Sequence, residues 1–451
     1  MSVPPRTQGA LRTRARWSLA ARRLALPAQT YIHTEETGGL ALLAAAVLAL
    51  AWANSPWGAS YEQFWGAKLG FDAGVGAVAK DLRHWVNDGL MALFFFIVAL
   101  EIKDELLNGE LSDRRRATLP AFAALGGMLF PALIYAGLTF GTPGARGWGI
   151  PIATDIAFAL GVLALTGRWT PYELRVLLLA FAALDDVGGI VVIALFYTAN
   201  LSLAALAVGG VLLLLLFVLR AAGVRSLSVY LPLAVAFWFA ILQSGVHATL
   251  AGVALGALAP ARPWLRRRDY AGNARRALAE FEQAEDDRAE ALLGEIEELT
   301  RRTEAPLGRM KRLLHPWVSF VVLPLFALAN AGVELSPQLV RGALSSRVSW
   351  GIVAGLLLGK LVGVFGFTWL AVRTGISRLP RNVAWRHIVG ISILAGIGFT
   401  VSLFIAGLAF DGRAELPEAK TAILLASALA GILGYTWFGL AARFAAPDDE
   451  G

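Results

Sequence analysis

Residues 174–197 read LRVLLLAFAALDDVGGIVVIALFY. A helix needs about 20 mostly apolar residues to cross the hydrocarbon core of a bilayer, and this run supplies them. Asp185 and Asp186 sit side by side in its middle. An ionised group at that depth is costly, so such residues pair with one another or line a hydrated path for ions or protons. Adjacent helical side chains diverge by about 100°. The two acids therefore face different partners, one able to chelate a cation while the other meets a counter-ion. Together they titrate as one coupled unit, which suits the exchange of protons for Na⁺ or Li⁺. A purely structural charge network is the competing reading.

Three more charges interrupt apolar runs. Asp155 lies in GIPIATDIAFALGVLAL (149–165), Asp88 near the start of NDGLMALFFFIVAL (87–100), and Lys360 in SWGIVAGLLLGKLVGVFGF (349–367). Lys360 is the natural counter-ion for one aspartate, either as a static salt bridge or as a group whose charge changes during transport. Around it Gly351, Gly355, Gly359 and Gly363 recur every four residues. That face lets another helix approach closely and holds Lys360 near it.

Composition agrees with this reading. Of 451 residues, 57% are hydrophobic and 16% charged, where a soluble domain carries about a quarter charged. Continuous apolar runs point to an all-α polytopic membrane protein and away from a barrel, whose strands would alternate. The net charge is +7, but the positives fall in short loops, which fits orientation in a membrane better than nucleic-acid binding. Cysteine is absent, which removes disulfides, thiolate metal sites and cysteine nucleophiles. The histidines lack zinc-ligand spacing, and no phosphate loop or partnered nucleophile is present. The chain reads as a secondary transporter without a cofactor, not as an enzyme or an ATP-driven pump.

Twelve spans are expected near 38–54, 85–103, 117–138, 148–166, 173–197, 202–220, 228–243, 245–260, 314–333, 350–372, 387–410 and 418–440. An N-terminus inside puts the arginine-rich loops on the cytoplasmic side, and the even count returns the C-terminus there. The chain then divides into a basic cytoplasmic arm (1–37), spans 1–8 (38–260), a cytoplasmic loop (261–313), spans 9–12 (314–440) and a cytoplasmic tail (441–451). The arm has no apolar signal core; being Arg-rich and acid-poor it also fits a transit peptide, the cytoplasmic arm being the simpler reading. The outside loop 55–84, with Trp57, Tyr61, Phe64 and Trp65, suits an interfacial helix or a short hairpin.

Within the 261–313 loop, an acidic insertion carries Leu278, Phe281, Leu292, Ile296 and Leu299 as a partial helical stripe. Arg266, Arg267 and Arg268 precede it, and Arg309, Lys311 and Arg312 follow. It reads as a solvated helix whose basic ends face anionic headgroups, with a regulatory or partner-binding helix as the alternative.

Two spans contain breaks: Pro151–Asp155 in the fourth, and Ala395, Gly396, Ile397 and Gly398 in the eleventh. Unwound backbone at membrane depth is tolerated only where it is buried or lines a cavity. The breaks occupy matching places in spans 3–5 and 10–12, which would be three-helix units related by inversion. Paired broken helices in such repeats point to a binding site at the midplane.

The remaining candidates each admit two readings. Thr154 and Asp155 offer oxygens to a hard cation, or Asp155 neutralises half-helix N-terminal dipoles. Asp88 and Asn87 form an outer vestibule or cap the second span. Glu101 and Glu105, four apart, gather cations at an inner funnel or decorate a solvated helix end. His247 and His315, at span ends, either respond to pH or simply pack.

The stretches NDGLMALFFFIVALEIKDEL, IPIATDIAFALGVLAL, ALDDVGGIVVIALFYT, SGVHATLAGV, LHPWVSFVVLPLFALANAGV, GLLLGKLVGV and GIGFTVSLFIAGLAF follow in order through spans 2 to 11. In these the chain resembles the bacterial NhaA-type Na⁺/H⁺ antiporters. The resemblance implies an NhaA-like fold with two crossing discontinuous helices, in an inner-membrane homodimer whose outside hairpin falls within 55–84. It implies electrogenic exchange of Na⁺ or Li⁺ for H⁺ by alternating access, serving sodium and pH homeostasis. A cation channel and a cation-coupled symporter of an organic solute are the rival functions.

Carried over position by position, Asp186 resembles the principal cation and proton carboxylate. Asp185 resembles its partner, salt-bridged to Lys360 in one state, with Na⁺ held at the two aspartates. Thr154 and Asp155 match the crossed-helix break, Asp88 the outer vestibule and Glu101 the funnel. Two departures stand out: Lys311 and Arg312 in RMKRLL (309–314) occupy places where family members often carry acidic and histidine residues, and the acidic insertion is longer than the family's loop.

Overall fold

The computed structural model describes residues 37–72, 77–166, 170–198, 201–224, 226–263, 265, 267–284 and 286–443. The basic arm, except residue 37, Arg266 and most of the C-terminal tail lie outside the described residues. Helix α1 (Thr37–Ala53) meets α2 (Gly58–Trp65) at 115°. An antiparallel hairpin of β1 (Lys68–Asp72) and β2 (Ala77–Asp81) follows, with Lys80 opposite Leu69. The 55–84 loop thus holds both a short helix and a hairpin.

The expectation that Asn87 and Asp88 start the second span is corrected. Helix α3 (Leu82–Trp85) begins earlier, and its cap is Asp81, whose carboxylate accepts the His84 N–H at 2.7 Å. A π-helical turn, Val86–Leu90, carries the chain into α4 (Met91–Asn108), so Asp88 lies inside a continuous helical segment. The apolar run NDGLMALFFF hid this, because the polar first turn LRHW reads as loop.

Helix α5 (Arg114–Thr139) is followed by a 3₁₀ segment (Pro143–Ile152) bent 49° from α6 (Ile156–Leu165). Then come α7 (Tyr172–Phe196), α8 (Leu203–Ala221), α9 (Leu227–Gln243) and α10 (Thr249–Leu258). The insertion forms α11 (Arg267–Phe281) and α12 (Asp286–Thr303). Here the single expected stripe is corrected: a turn after Phe281 folds the segment into two helices that pack on each other and bury Ala274, Ala277 and Leu292, while Leu278 is exposed. The base of this excursion is closed by Leu307 N–H donating to Pro260 C=O at 3.0 Å.

The chain continues through α13 (Pro306–Trp317), a π turn (Val318–Val322), α14 (Leu323–Asn330), α15 (Pro337–Ser345) and α16 (Arg347–Ala354). A third π turn, Gly355–Gly359, leads into α17 (Lys360–Arg373). Helices α18 (Trp385–Leu394) and α19 (Phe399–Ala409) are bent by 41° at their break, and α20 (Glu415–Arg443) closes the described fold.

Among the described residues six helical segments are long and apolar enough to cross a membrane: α5, α7, α8, α13–α14, α16–α17 and α20. The three bent pairs add further candidates, and α9 and α10 are shorter apolar helices. Each expected span position coincides with one of these elements or with α3–α4. Polar loops separate them, and their apolar faces meet in a core that includes Phe95, Phe181, Phe326 and Phe404.

The glycine face behaves as a packing surface. A Cβ at Gly355 would meet Pro151 and Pro131, one at Gly359 would meet Pro131, and one at Gly363 would strike the carbonyl oxygen of Gly126. α5 therefore lies against α16–α17 at backbone distance. That contact brings Lys360 to the centre of the molecule, where it is fully buried.

Candidate functional site

The charged residues of the apolar core converge on α7. Lys360 donates to both carboxylate oxygens of Asp185, at 2.8 and 3.0 Å, and each side chain is 0% exposed. The Lys360 ammonium also stands 5.8 Å from the centre of the Phe181 ring. A buried charge needs this degree of compensation, because an unpaired one is strongly destabilising. The π turn preceding Lys360 went unforeseen; such turns recur at functional sites because they re-aim the following side chain.

Asp186 takes the other direction. It lines a cavity of about 1100 Å³ together with Glu101, Glu105, Thr154, Asp155, His315 and Thr400. Its residue is 5% exposed, and among the described residues no group donates a hydrogen bond to its carboxyl. The divergence expected for adjacent helical residues is thus realised: one aspartate is consumed by a fixed cation, and its neighbour faces water-accessible space. The structure does not bring both to one face: of the pair, Asp186 alone lines the cavity.

The two breaks are bonded to one another. Asp155 N–H donates to Ile397 C=O at 2.6 Å, and the Thr154 hydroxyl donates to Ala395 C=O at 2.9 Å. Asp155 caps α6 by accepting from Phe158 N–H at 3.0 Å. Its second oxygen accepts from Thr400 N–H at 3.0 Å and from the Thr400 hydroxyl at 2.6 Å. One carboxylate therefore faces the N-terminal ends of both α6 and α19, where partial positive charge accumulates.

Three hydroxyls missed from sequence complete this junction. Besides Thr400, Ser402 donates to Ile150 C=O at 2.7 Å, and Ser427 accepts from Phe399 N–H at 3.1 Å. The signal available was the pair of hydroxyls just after the second break in GIGFTVS. Ser427, from a distant helix, had none.

At the cavity mouth His315 Nε2 lies 3.8 Å from Glu101, and Lys311 lies 3.4 Å from Asp104. Glu105 accepts the Glu110 N–H at 3.1 Å, and Arg312 pairs with Glu304 at the end of the insertion. The two residues that depart from the family pattern thus both stand in ion pairs.

His247 is elsewhere. Its Nε2 is 2.5 Å from the Tyr197 carbonyl oxygen, on the opposite side from the cavity mouth, and neither it nor Asp88 lines the cavity. Asp88 pairs with Lys80 of β2 at 2.5 Å, and the Asp88 carbonyl accepts the Trp238 indole N–H at 3.1 Å. Beside it Asn330 donates to Asn87 at 2.7 Å. Among the described residues no three His, Asp or Glu side chains form a metal-binding group.

Comparison with known proteins shows what the chain is similar to. Residues 29–438 match the family model described as Na⁺/H⁺ antiporter 1. A Na(+)/H(+) antiporter NhaA 2 of Sorangium cellulosum is 45% identical over 442 residues, covering 96% of this chain and 92% of that protein. A Na(+)/H(+) antiporter NhaA of Oleidesulfovibrio alaskensis is 49% identical over 423 residues, covering 92% and 93%. A third, of Rhodopirellula baltica, is 45% identical over 416 residues.

Proposed function

Because the chain belongs to the Na⁺/H⁺ antiporter 1 family, we propose that it exchanges Na⁺, or Li⁺, for protons electrogenically by alternating access. The observation that carries this reading is the split of the central pair: Asp185 is held by Lys360, while Asp186 lines the cavity with no hydrogen-bond donor among the described residues. A carboxylate without a partner in a wet cavity is a place where Na⁺ and H⁺ compete. Na⁺ arriving at Asp186 displaces its proton, and recruitment of Asp185 as a second ligand releases Lys360. A ligand shifts an inward–outward equilibrium only by its differential affinity for the two states, so coupling requires that the empty carboxylate site not cross.

In this scheme twelve segments cross the bacterial inner membrane, with both termini cytoplasmic, inverted repeats related through spans 3–5 and 10–12, and the broken helices crossing at the site. Thr154 supplies oxygen ligands, while Asp155 joins the crossing ends and tunes the site through its charge. The cavity mouth, with Glu101, Glu105 and His315, is the cytoplasmic funnel, and Asp88 marks the outer vestibule. The divisions 1–37, 38–260, 261–313, 314–440 and 441–451 keep their assigned sides, and the hairpin serves a homodimer in the bilayer. Sodium and pH homeostasis is the physiological outcome.

The test is ion flux in proteoliposomes with Na⁺, Li⁺ or K⁺ across a pH series, with membrane potential recorded. The expected result is proton movement opposite to Na⁺ or Li⁺ accompanied by net charge transfer. Cation current without proton counterflow would instead identify a channel.

A further inference from the structure

The hairpin is not confined to the periphery. Lys80, on β2, reaches across to Asp88 in the Val86–Leu90 π turn with an ammonium–carboxylate distance of 2.5 Å. The pair is partly enclosed, its side chains 32% and 18% exposed. Around it the Trp238 indole fixes the Asp88 peptide at 3.1 Å, and Asn87 is tied to Asn330. None of these groups lines the cavity that ends at Asp186. The molecule is therefore open to one end of the site while the opposite acidic group is occupied by a lysine of its own.

We propose that Lys80 is a tethered cation that closes the outer vestibule by occupying Asp88 in the place of an incoming Na⁺. This rests on the antiport reading and on the hairpin lying outside. An ion entering from the outer face must compete with an ammonium attached to the same chain, whereas an ion entering through the cavity does not. The hairpin thereby sets an asymmetry between the two faces: Na⁺ binds less readily from outside than from inside, while the ion gradients set the direction of net exchange. A pair that served stability alone would leave transport at both faces unaltered.

The experiment uses the full-length protein in vesicles of each orientation, with the KM for Na⁺ measured at each face. Lys80→Gln is expected to lower the outer-face KM by about two- to fivefold, the range set by the strength of a partly exposed ion pair. The inner-face KM stays unchanged, the outer-face maximal rate falls in proportion to the outer-face KM, and Lys80→Arg keeps the wild-type values. Because the chain has no native cysteine, Lys80→Cys offers a second test. Reaction of the introduced thiolate with aminoethyl methanethiosulfonate forms a mixed disulfide with loss of methanesulfinate; it restores an ammonium at this position and should return the outer KM to the wild-type value, while a neutral analogue should not. An unshifted outer KM, an equal shift at both faces, or rescue by the neutral reagent overturns the proposal. Wild-type exchange in the same vesicles tests the functional reading separately, so a working exchanger with an unshifted KM defeats the gate alone.

Discussion

Lys360 bonds both oxygens of Asp185, at 2.8 and 3.0 Å, while Asp186, the next residue, has no donor among the described residues. The ammonium and carboxylate are both fully buried, so each has given up hydration for the other. Removing one partner strands a charge, which costs about 3–5 kcal/mol. Lys360→Gln should lower the unfolding temperature in detergent sharply, and Asp185→Asn combined with Lys360→Gln should recover most of the loss. Additive destabilisation in the double variant would show that the two residues do not act as a pair.

Thr400 contributes two of the hydrogen bonds that join the breaks, both to one oxygen of Asp155. Thr400→Val keeps the shape and the backbone donor but loses the hydroxyl. A bond to a charged acceptor contributes about 1.5–3 kcal/mol. The variant is expected to unfold at lower temperature and to bind Na⁺ more weakly, read together by thermal unfolding with and without Na⁺. Unchanged stability and unchanged Na⁺ stabilisation would count against the junction's importance.

The contact of α5 with α16–α17 gives a contrast between glycines. A methyl at Gly126 meets the Gly363 backbone, whereas one at Gly366 meets nothing within 4 Å. Gly126→Ala should cost about 1–3 kcal/mol through overpacking and reduce the yield of folded protein. Gly366→Ala should be neutral or slightly stabilising. Size-exclusion profiles of the two variants decide the point, and equal behaviour would contradict the packing.

Asp81 links the hairpin to α3. Burial pushes its carboxyl up, but the His84 N–H and ring, each 2.7 Å away, outweigh this and hold it below the ordinary value of 3.8. With the folded value lowered, the stabilisation is complete above the ordinary value and is lost as pH falls through the lowered one. Asp81→Ala should cost about 1 kcal/mol of cap energy at pH 7, seen as faster amide exchange at His84. The difference from wild type should narrow in acid. Equal protection at pH 7 would remove Asp81 from this role.

Much of the site was legible because its physics is local. Adjacent helical residues must diverge, so Asp185 and Asp186 were bound to separate. Pro151 and the glycines at 396 and 398 lower the cost of breaking a helix, and the glycine spacing around Lys360 requires a close neighbour. What the sequence concealed is long-range. Nothing in a linear reading pairs Lys80 with Asp88, sends Ser427 to the Phe399 amide, or aims both oxygens of Asp155 at two helix ends. The π turns before Lys360 and around Asp88 were equally hidden, since helices that are apolar on nearly every side show no shift of period when one residue is inserted. The insertion's stripe misled because two packed helices share it.

The most direct test of the central claim is the number of protons released when Na⁺ is added to purified protein in weakly buffered detergent solution, for wild type and Asp186→Asn. Competition at Asp186 requires proton release on Na⁺ addition in the wild type and none in the variant. Proton release of wild-type size from Asp186→Asn would contradict it.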